Sequence, residues 1–264
     1  MPHSRSVALI TGASSGIGAV YADRWARRGH DLILVARRED RLRALAHKLS
    51  KEQGVEVEIV VADLQAESDL ARLEQRVGGE PRLAVLVNNA GLARLGPFAQ
   101  SRPEDSRAQI DLNITALTRL TRAALPAFTA RRRGLIVNIA SVLAVQTLPV
   151  SAVYSGTKAY VLAFSRGLQQ ELKDTGVKVQ VVLPAATATE IWDSSGVALS
   201  AIDRSTVMSA EDLVDAALAG LDQGEAITVP PLADAGLWSR FEEARTTVFA
   251  ATRTGKPAPR YAAA

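Results

Sequence analysis

Thr11-Gly12-Ala13-Ser14-Ser15-Gly16-Ile17-Gly18 follows an apolar run at 7–11 and opens an amphipathic stretch at 16–29. Glycines at 12, 16 and 18 in a turn from strand to helix let backbone N–H groups approach a pyrophosphate at the helix N-terminus, where side chains would obstruct it. Any tight turn with positive φ also calls for glycine, so it is the flanking strand and helix that favour the phosphate reading. On that reading Gly12, Ser14, Ser15, Gly16, Ile17 and Gly18 line a dinucleotide.

Outward from this turn, runs rich in Val, Ile and Leu recur at 31–36, 55–62, 83–88, 135–140, 177–183 and 226–229. Near-continuous apolarity is expected of parallel strands covered on both faces. The stretches at 16–29, 39–53, 67–77, 104–131, 152–175, 210–223 and 234–252 predict helices long enough to serve as crossovers. The predicted fold is therefore α/β, a single-domain Rossmann-like doubly wound parallel sheet of about seven strands spanning 1–264. Residues 185–209, polar with isolated apolar positions, follow the sixth strand at the carboxyl edge and are expected to form a mobile substrate lid. Residues 256–264, with Pro257 and Pro259, are expected to be a flexible tail.

Composition narrows the function. The chain has 264 residues, 47% of them apolar, enough for a substantial core, and no linker or repeat divides it. It contains no cysteine, which excludes disulfides, thiolate catalysis and thiolate metal sites, and no metal is expected. No run approaches 18 apolar residues, so a cytoplasmic protein with no membrane span is the expectation. The formal charge is +3, with arginines dispersed along the chain. Their densest cluster, Arg131-Arg132-Arg133, ends a predicted helix, where cations suit the dipole, so no nucleic-acid partner is expected.

Tyr154 and Lys158 stand at i and i+4, with Ser141 13 residues upstream. Tyrosine, with an ordinary pKa of about 10, becomes a better proton carrier when a lysine ammonium nearby favours the phenolate. In ketone reduction, hydride from a nicotinamide builds negative charge on the carbonyl oxygen, which needs a hydrogen-bond donor and then a proton. Ser141 and Tyr154 provide these groups, which points to a nicotinamide-dependent oxidoreductase. At the end of the second predicted strand, Ala36 leaves space and Arg37 and Arg38 leave positive charge where an acidic residue would otherwise bind the adenosine ribose. NADP(H) is the expected cofactor.

These motifs together resemble the short-chain dehydrogenase/reductase family from about residue 7 to residue 229. They comprise Gly12-x-x-x-Gly16-x-Gly18, Asp63, Asn88-Asn89-Ala90-Gly91, Asn113, Ser141 and Tyr154-x-x-x-Lys158. The resemblance implies that Tyr154 is the general acid/base, that Ser141 steadies the substrate oxygen and that Lys158 holds the nicotinamide ribose. It implies a relay water at Asn113, Asp63 and Leu64 near the adenine, and Asn89, Ala90, Gly91 and Pro184 along the cofactor. Asn88 is read as structural, closing its strand through hydrogen bonds. The family's usual Pro-Gly after the sixth strand is Pro184-Ala185 here, and alanine tolerates positive φ poorly. The loop is therefore expected to take another path, with Thr187 at the carboxamide and Thr189 at a phosphate.

Leu92, Val142, Leu143, Leu148 and Trp192 flank the expected carbonyl site, although core packing explains apolar side chains equally well. The expected partner is thus a small to medium apolar carbonyl compound or secondary alcohol. A 3-oxoacyl-carrier or hydroxysteroid reductase is the alternative, and a non-catalytic NADP(H)-sensing regulatory protein is the alternative of another class. The family resemblance further implies a homodimer or homotetramer.

Overall fold

The computed structural model describes residues 5–261; the N-terminal part of the chain before residue 5 and the last three residues of the expected tail lie outside the described residues. The chain divides into two compact units between Pro230 and Pro231. Among the described residues the first holds seven strands: β1 (Val7–Thr11), β2 (Asp31–Ala36), β3 (Val57–Val61), β4 (Leu83–Asn88), β5 (Gly134–Ile139), β6 (Val177–Val182) and β7 (Ile227–Thr228). They form one sheet in the order β3-β2-β1-β4-β5-β6-β7, every pairing parallel. This is the doubly wound α/β sheet that the alternation of apolar runs predicts.

The helices of this unit are α1 (Gly16–Arg27), α2 (Glu39–Gln53), α3 (Glu67–Gly78), α4 (Pro103–Ile110), α5 (Leu117–Ala130), α6 (Ala152–Glu171) and α7 (Ala210–Asp222). The sheet is buried on both faces, and β1 shows how. Ala8 and Ile10 join a core cluster with Tyr21, Trp25, Leu42 and Leu213, whereas Val7 and Leu9 join a second with Leu70, Leu73, Phe128 and Leu168. Successive strand side chains point to opposite faces, so a run without polar residues is what a sheet between two helical layers needs. Fully burying each such side chain stabilises by roughly 1.5–3 kcal/mol.

Helix ends follow local chemistry. Glu39 and Asp40 occupy the first turn of α2, and Gly54 at φ 63° closes it in the left-handed region. Ser209 Oγ accepts the Asp212 amide N–H at 2.9 Å, capping α7. One element departs from expectation. The helix anticipated at 104–131 is divided by a π-helical turn, Asp111–Ala116, between α4 and α5. A wider turn of this kind often sits where function needs a side chain re-aimed, and Asn113 lies within it. The second unit consists of α8 (Ala235–Ala251) and a short turn at Pro259–Tyr261.

The chain proceeds from β1 through β2 to β3 on one side, then returns to place β4 on the other side of β1. Ligands in such sheets bind beyond the carboxyl ends of the strands at that reversal. The loops after β1, β4, β5 and β6 all emerge there.

Candidate active site

The glycine turn closes β1 onto α1. Gly12 and Gly16 have φ of 67° and 52°, a region L side chains avoid. A Cβ on Gly18 would lie 2.3 Å from the Gly12 carbonyl oxygen, so only glycine permits this close approach. The first turn of α1 carries no acidic residue, and Ser15 at its N-cap makes no side-chain capping bond. Those amides suit a pyrophosphate in the way a helix N-terminus does.

Thr11, to which sequence reasoning assigned no role, holds the turn to the loop after β4. Its hydroxyl accepts from the backbone N–H of both Asn89 and Ala90 at 3.0 Å and donates to the Val87 carbonyl at 3.3 Å. Asn89 Nδ2 in turn donates to the Thr11 carbonyl at 2.9 Å. Asn88 points away, donating to Thr121 and Asn138 at 3.0 and 2.9 Å within the core, as a strand-closing structural residue does.

At the adenosine end, Ala36 finishes β2, and Arg37 is exposed, its side chain making no hydrogen bond or ion pair among the described residues. Arg38 differs. It donates to Ser14 Oγ through Nε and Nη2 at 3.2 and 2.9 Å, to Ser15 Oγ at 2.8 Å and to Glu190 at 2.6 Å. Glu190 also accepts from Arg41, and the two guanidinium groups hold its carboxyl down to about 2. Neither Arg41 nor Glu190 was recognised in the sequence, for they stand 149 residues apart and no local pattern joins them. Asp63 Oδ1 accepts from the Gln65 amide at 3.1 Å, while the Leu64 side chain lies in the core, leaving its backbone as the part that can face a ligand.

The four polar residues expected at the reacting centre converge. Ser141, buried two residues beyond the end of β5, accepts the Leu143 amide N–H at 3.1 Å and donates weakly to the Pro184 carbonyl at 3.4 Å. Burial pushes the Tyr154 phenol up to about 12, and a hydrogen bond with Ser141 acts in the opposite direction. Lys158 Nζ lies 5.7 Å from the centre of the Tyr154 ring and donates to the Ile139 carbonyl at 2.8 Å; burial pushes its ammonium down to about 8. Here the structure departs from the expected lysine effect. Desolvation by burial, and not the charge on the lysine, governs the direction in which the phenol moves. Asn113, only 1% exposed, donates to the Leu92 carbonyl and to Thr157 Oγ1 and accepts the Leu92 amide, all at 2.9–3.0 Å. It thus ties the loop after β4 to α6, where the buried Thr157 is its partner. A Cβ on Gly91 would come within 3.2 Å of Asn113 Oδ1 and 3.5 Å of Lys158 Nζ.

Leu92, Val142, Leu143, Leu148 and Trp192 all keep exposed surface and belong to neither core cluster; Leu148 is 50% exposed. The 185–209 segment is folded into short 3-10 turns at Glu190–Ser194, Leu199–Ala201 and Arg204–Thr206. Its ends are joined, Met208 N–H donating to the Ala186 carbonyl and Ala188 N–H to the Met208 carbonyl at 2.9 Å. Trp192 Nε1 donates to the Thr187 carbonyl at 2.8 Å, and the Leu95 amide to the Ser195 carbonyl at 2.6 Å. Thr187 Oγ1 donates to the Ala185 carbonyl at 3.1 Å, and the Thr189 methyl lies 3.0 Å from where a Gly16 Cβ would stand. Ala185 keeps a negative φ, since Arg132 is the only described non-glycine residue in the left-handed region. The loop therefore accommodates alanine without strain.

Buried Lys158 has a stability consequence. Its folded pKa of about 8 lies below the ordinary 10.5, so between these values the unfolded chain binds the extra proton and stability rises with pH. Below about pH 8 the burial opposes folding by ~3 kcal/mol, partly offset by the bond to Ile139, about 1 kcal/mol. Lys158→Met is expected to unfold at higher urea than the parent at pH 7, with the advantage shrinking from pH 8 to 10. A pH-independent difference between the two would contradict this.

The family model for short chain dehydrogenases matches residues 6–198. Among curated relatives, the very-long-chain 3-oxoacyl-CoA reductase-A of Danio rerio is 36% identical over 188 residues, covering 70% of this chain and 59% of the relative. The human 17-beta-hydroxysteroid dehydrogenase type 3 is 34% identical over 184 residues, 69% of this chain and 59% of its own length. The matched stretch thus spans about three fifths of these relatives. Two solved structures match almost end to end. A short-chain dehydrogenase from Sphingobium yanoikuyae in complex with NADPH has 48% identity and a TM-score of 0.94, covering 97% of this chain and 99% of that one. The bulky-bulky ketone specific alcohol dehydrogenase from Comamonas testosteroni has 40% identity and a TM-score of 0.90, with 98% and 100% covered. With the glycine turn, Ser141, Tyr154 and Lys158 gathered at one sheet edge, the chain belongs to the short-chain dehydrogenase/reductase family.

Proposed function

We propose that this protein is an NADP(H)-dependent oxidoreductase acting between a carbonyl group and a secondary alcohol on a small to medium apolar substrate. The observation that carries the reading is the convergence of Ser141, Tyr154 and Lys158 at the carboxyl edge of the sheet. Bound NADP(H) supplies or accepts the hydride. Tyr154, kept protonated at neutral pH by burial, gives its phenolic proton to the substrate oxygen during reduction, and Ser141 donates a hydrogen bond to that oxygen as charge develops. Lys158 holds the nicotinamide ribose, and the glycine turn, Asn89, Ala90 and Gly91 line the dinucleotide. Asn113 fixes the spacing between the cofactor loop and α6. The NADPH of the Sphingobium relative and the two arginines after β2 support the cofactor assignment.

The half-buried Leu92, Val142, Leu143 and Trp192 and the exposed Leu148 suit an apolar ketone, and the bulky ketones in the name of the Comamonas relative agree with that choice. Reduction of a 3-oxoacyl thioester, or of a ketosteroid to its hydroxysteroid, is the second reading, favoured by the curated relatives. The purified protein with NADPH and a panel of ketones, 3-oxoacyl thioesters and ketosteroids, followed at the reduced-nicotinamide absorbance, separates them; no turnover of any would remove the enzyme reading. Trp192→Ala is expected to alter relative rates across the ketone panel by about tenfold, the scale of one hydrophobic pocket contact, while NADPH affinity holds. Unchanged relative rates would remove Trp192 from the substrate site.

The proposal also carries a cytoplasmic protein assembled as a homodimer or homotetramer through the faces of α5 and α6. No described helix is long and apolar enough to cross a membrane.

A further inference from the structure

An ionic bridge with no part in the proton-transfer chemistry ties the start of the 185–209 segment to the phosphate-binding turn. Glu190 accepts from Arg38 at 2.6 Å and from Arg41, both on or beside the first turn of α2. Every nitrogen of the Arg38 guanidinium is committed, Nη1 to Glu190 and Nε and Nη2 to the hydroxyls of Ser14 and Ser15. Glu190 stays ionised throughout the working pH range, because two guanidinium groups hold it. The adjacent Thr189 lies against Gly16, and Arg38 links the Glu190 carboxylate to Ser14 and Ser15 of the same turn.

Building on the NADP(H) reading, we infer that Glu190 is a specificity-determining residue, an internal counter-anion that competes with the cofactor's 2′-phosphate for Arg38. A phosphate monoester arriving beside Arg37 and Arg38 brings nearly two negative charges toward a fixed carboxylate. Arg38 must release Glu190 or share its donors between two anions, and either response weakens the phosphorylated ligand selectively. A ligand with a free 2′-hydroxyl leaves the bridge intact. Glu190 therefore lowers the preference that Arg37 and Arg38 would otherwise confer. By reciprocity, a 2′-phosphate loosens the Arg38–Glu190 tie at the entrance to the Trp192 turn.

Adenosine 2′,5′-bisphosphate and adenosine 5′-monophosphate differ only in the 2′-phosphate, and calorimetric titration of both into the full-length protein tests the inference without turnover. E190Q is expected to bind the bisphosphate about three- to tenfold more tightly than the parent and the monophosphate within twofold. E190A should behave alike, because the effect is one of charge. The gain should shrink at about 0.5 M salt, since both partners are 41% exposed, and should vanish when Arg38→Ala is combined with E190Q. Equal gains for both nucleotides, or none for the bisphosphate, would overturn the role of Glu190. If the parent itself binds the bisphosphate no better than the monophosphate, the NADP(H) reading falls first and this role with it.

Discussion

Tyr154→Phe should lower turnover by about two to four orders of magnitude, the range over which a positioned general acid or base contributes. The ring remains, so its packing beneath Lys158 at 5.7 Å persists and NADPH affinity should change little. The phenolic proton, retained at neutral pH because burial holds the group near 12, disappears. Ser141 cannot replace it, since a serine hydroxyl is a far weaker acid and is already engaged with Leu143 and Pro184. Steady-state rates with the best ketone, alongside a fluorescence titration of NADPH, give the two quantities. A variant with near-normal turnover would remove Tyr154 from the mechanism. Loss of cofactor affinity in step with rate would show that the hydroxyl acts by holding the ligand.

Arg37→Ala should weaken NADPH by about ten- to a hundredfold, because a hydrogen bond to a charged group contributes roughly 1.5–3 kcal/mol and each 1.4 kcal/mol is tenfold in affinity. NADH, which has no 2′-phosphate, should bind almost unchanged. Arg37 is exposed and uncommitted among the described residues, whereas Arg38 is already shared between two serines and Glu190, so Arg37 is the cation free to answer a new anion. Adding Ala36→Asp should reverse the preference by repelling phosphate and accepting from the ribose hydroxyl. Dissociation constants of both dinucleotides for the parent and the two variants decide it. A parent that prefers NADH would end the assignment.

The amino-acid order by itself determined the sheet. Seven apolar runs, each separated by a helix-length amphipathic stretch, can bury both strand faces only in a parallel sheet with helices on either side, and hydrophobic period is a local property. The glycine turn was legible for the same reason, because Gly12 and Gly16 need positive φ and Gly18 needs the absence of a Cβ within one short stretch. Tyr154 and Lys158 were legible because their spacing is a helical repeat. Tertiary structure alone decided what depends on residues distant in sequence. Thr11 gained its role from Asn89 and Ala90, 78 and 79 residues away, and Asn113 from Leu92 and Thr157. The π-helical turn that carries Asn113 leaves no compositional mark. Local spacing placed a lysine beside a tyrosine, but burial among residues distant in sequence set the direction in which both proton affinities move. Glu190 met Arg38 across 152 residues only because β2 and the loop after β6 open onto the same edge of the sheet. Electrostatics and desolvation act through space, and a sequence records neighbours only along the chain.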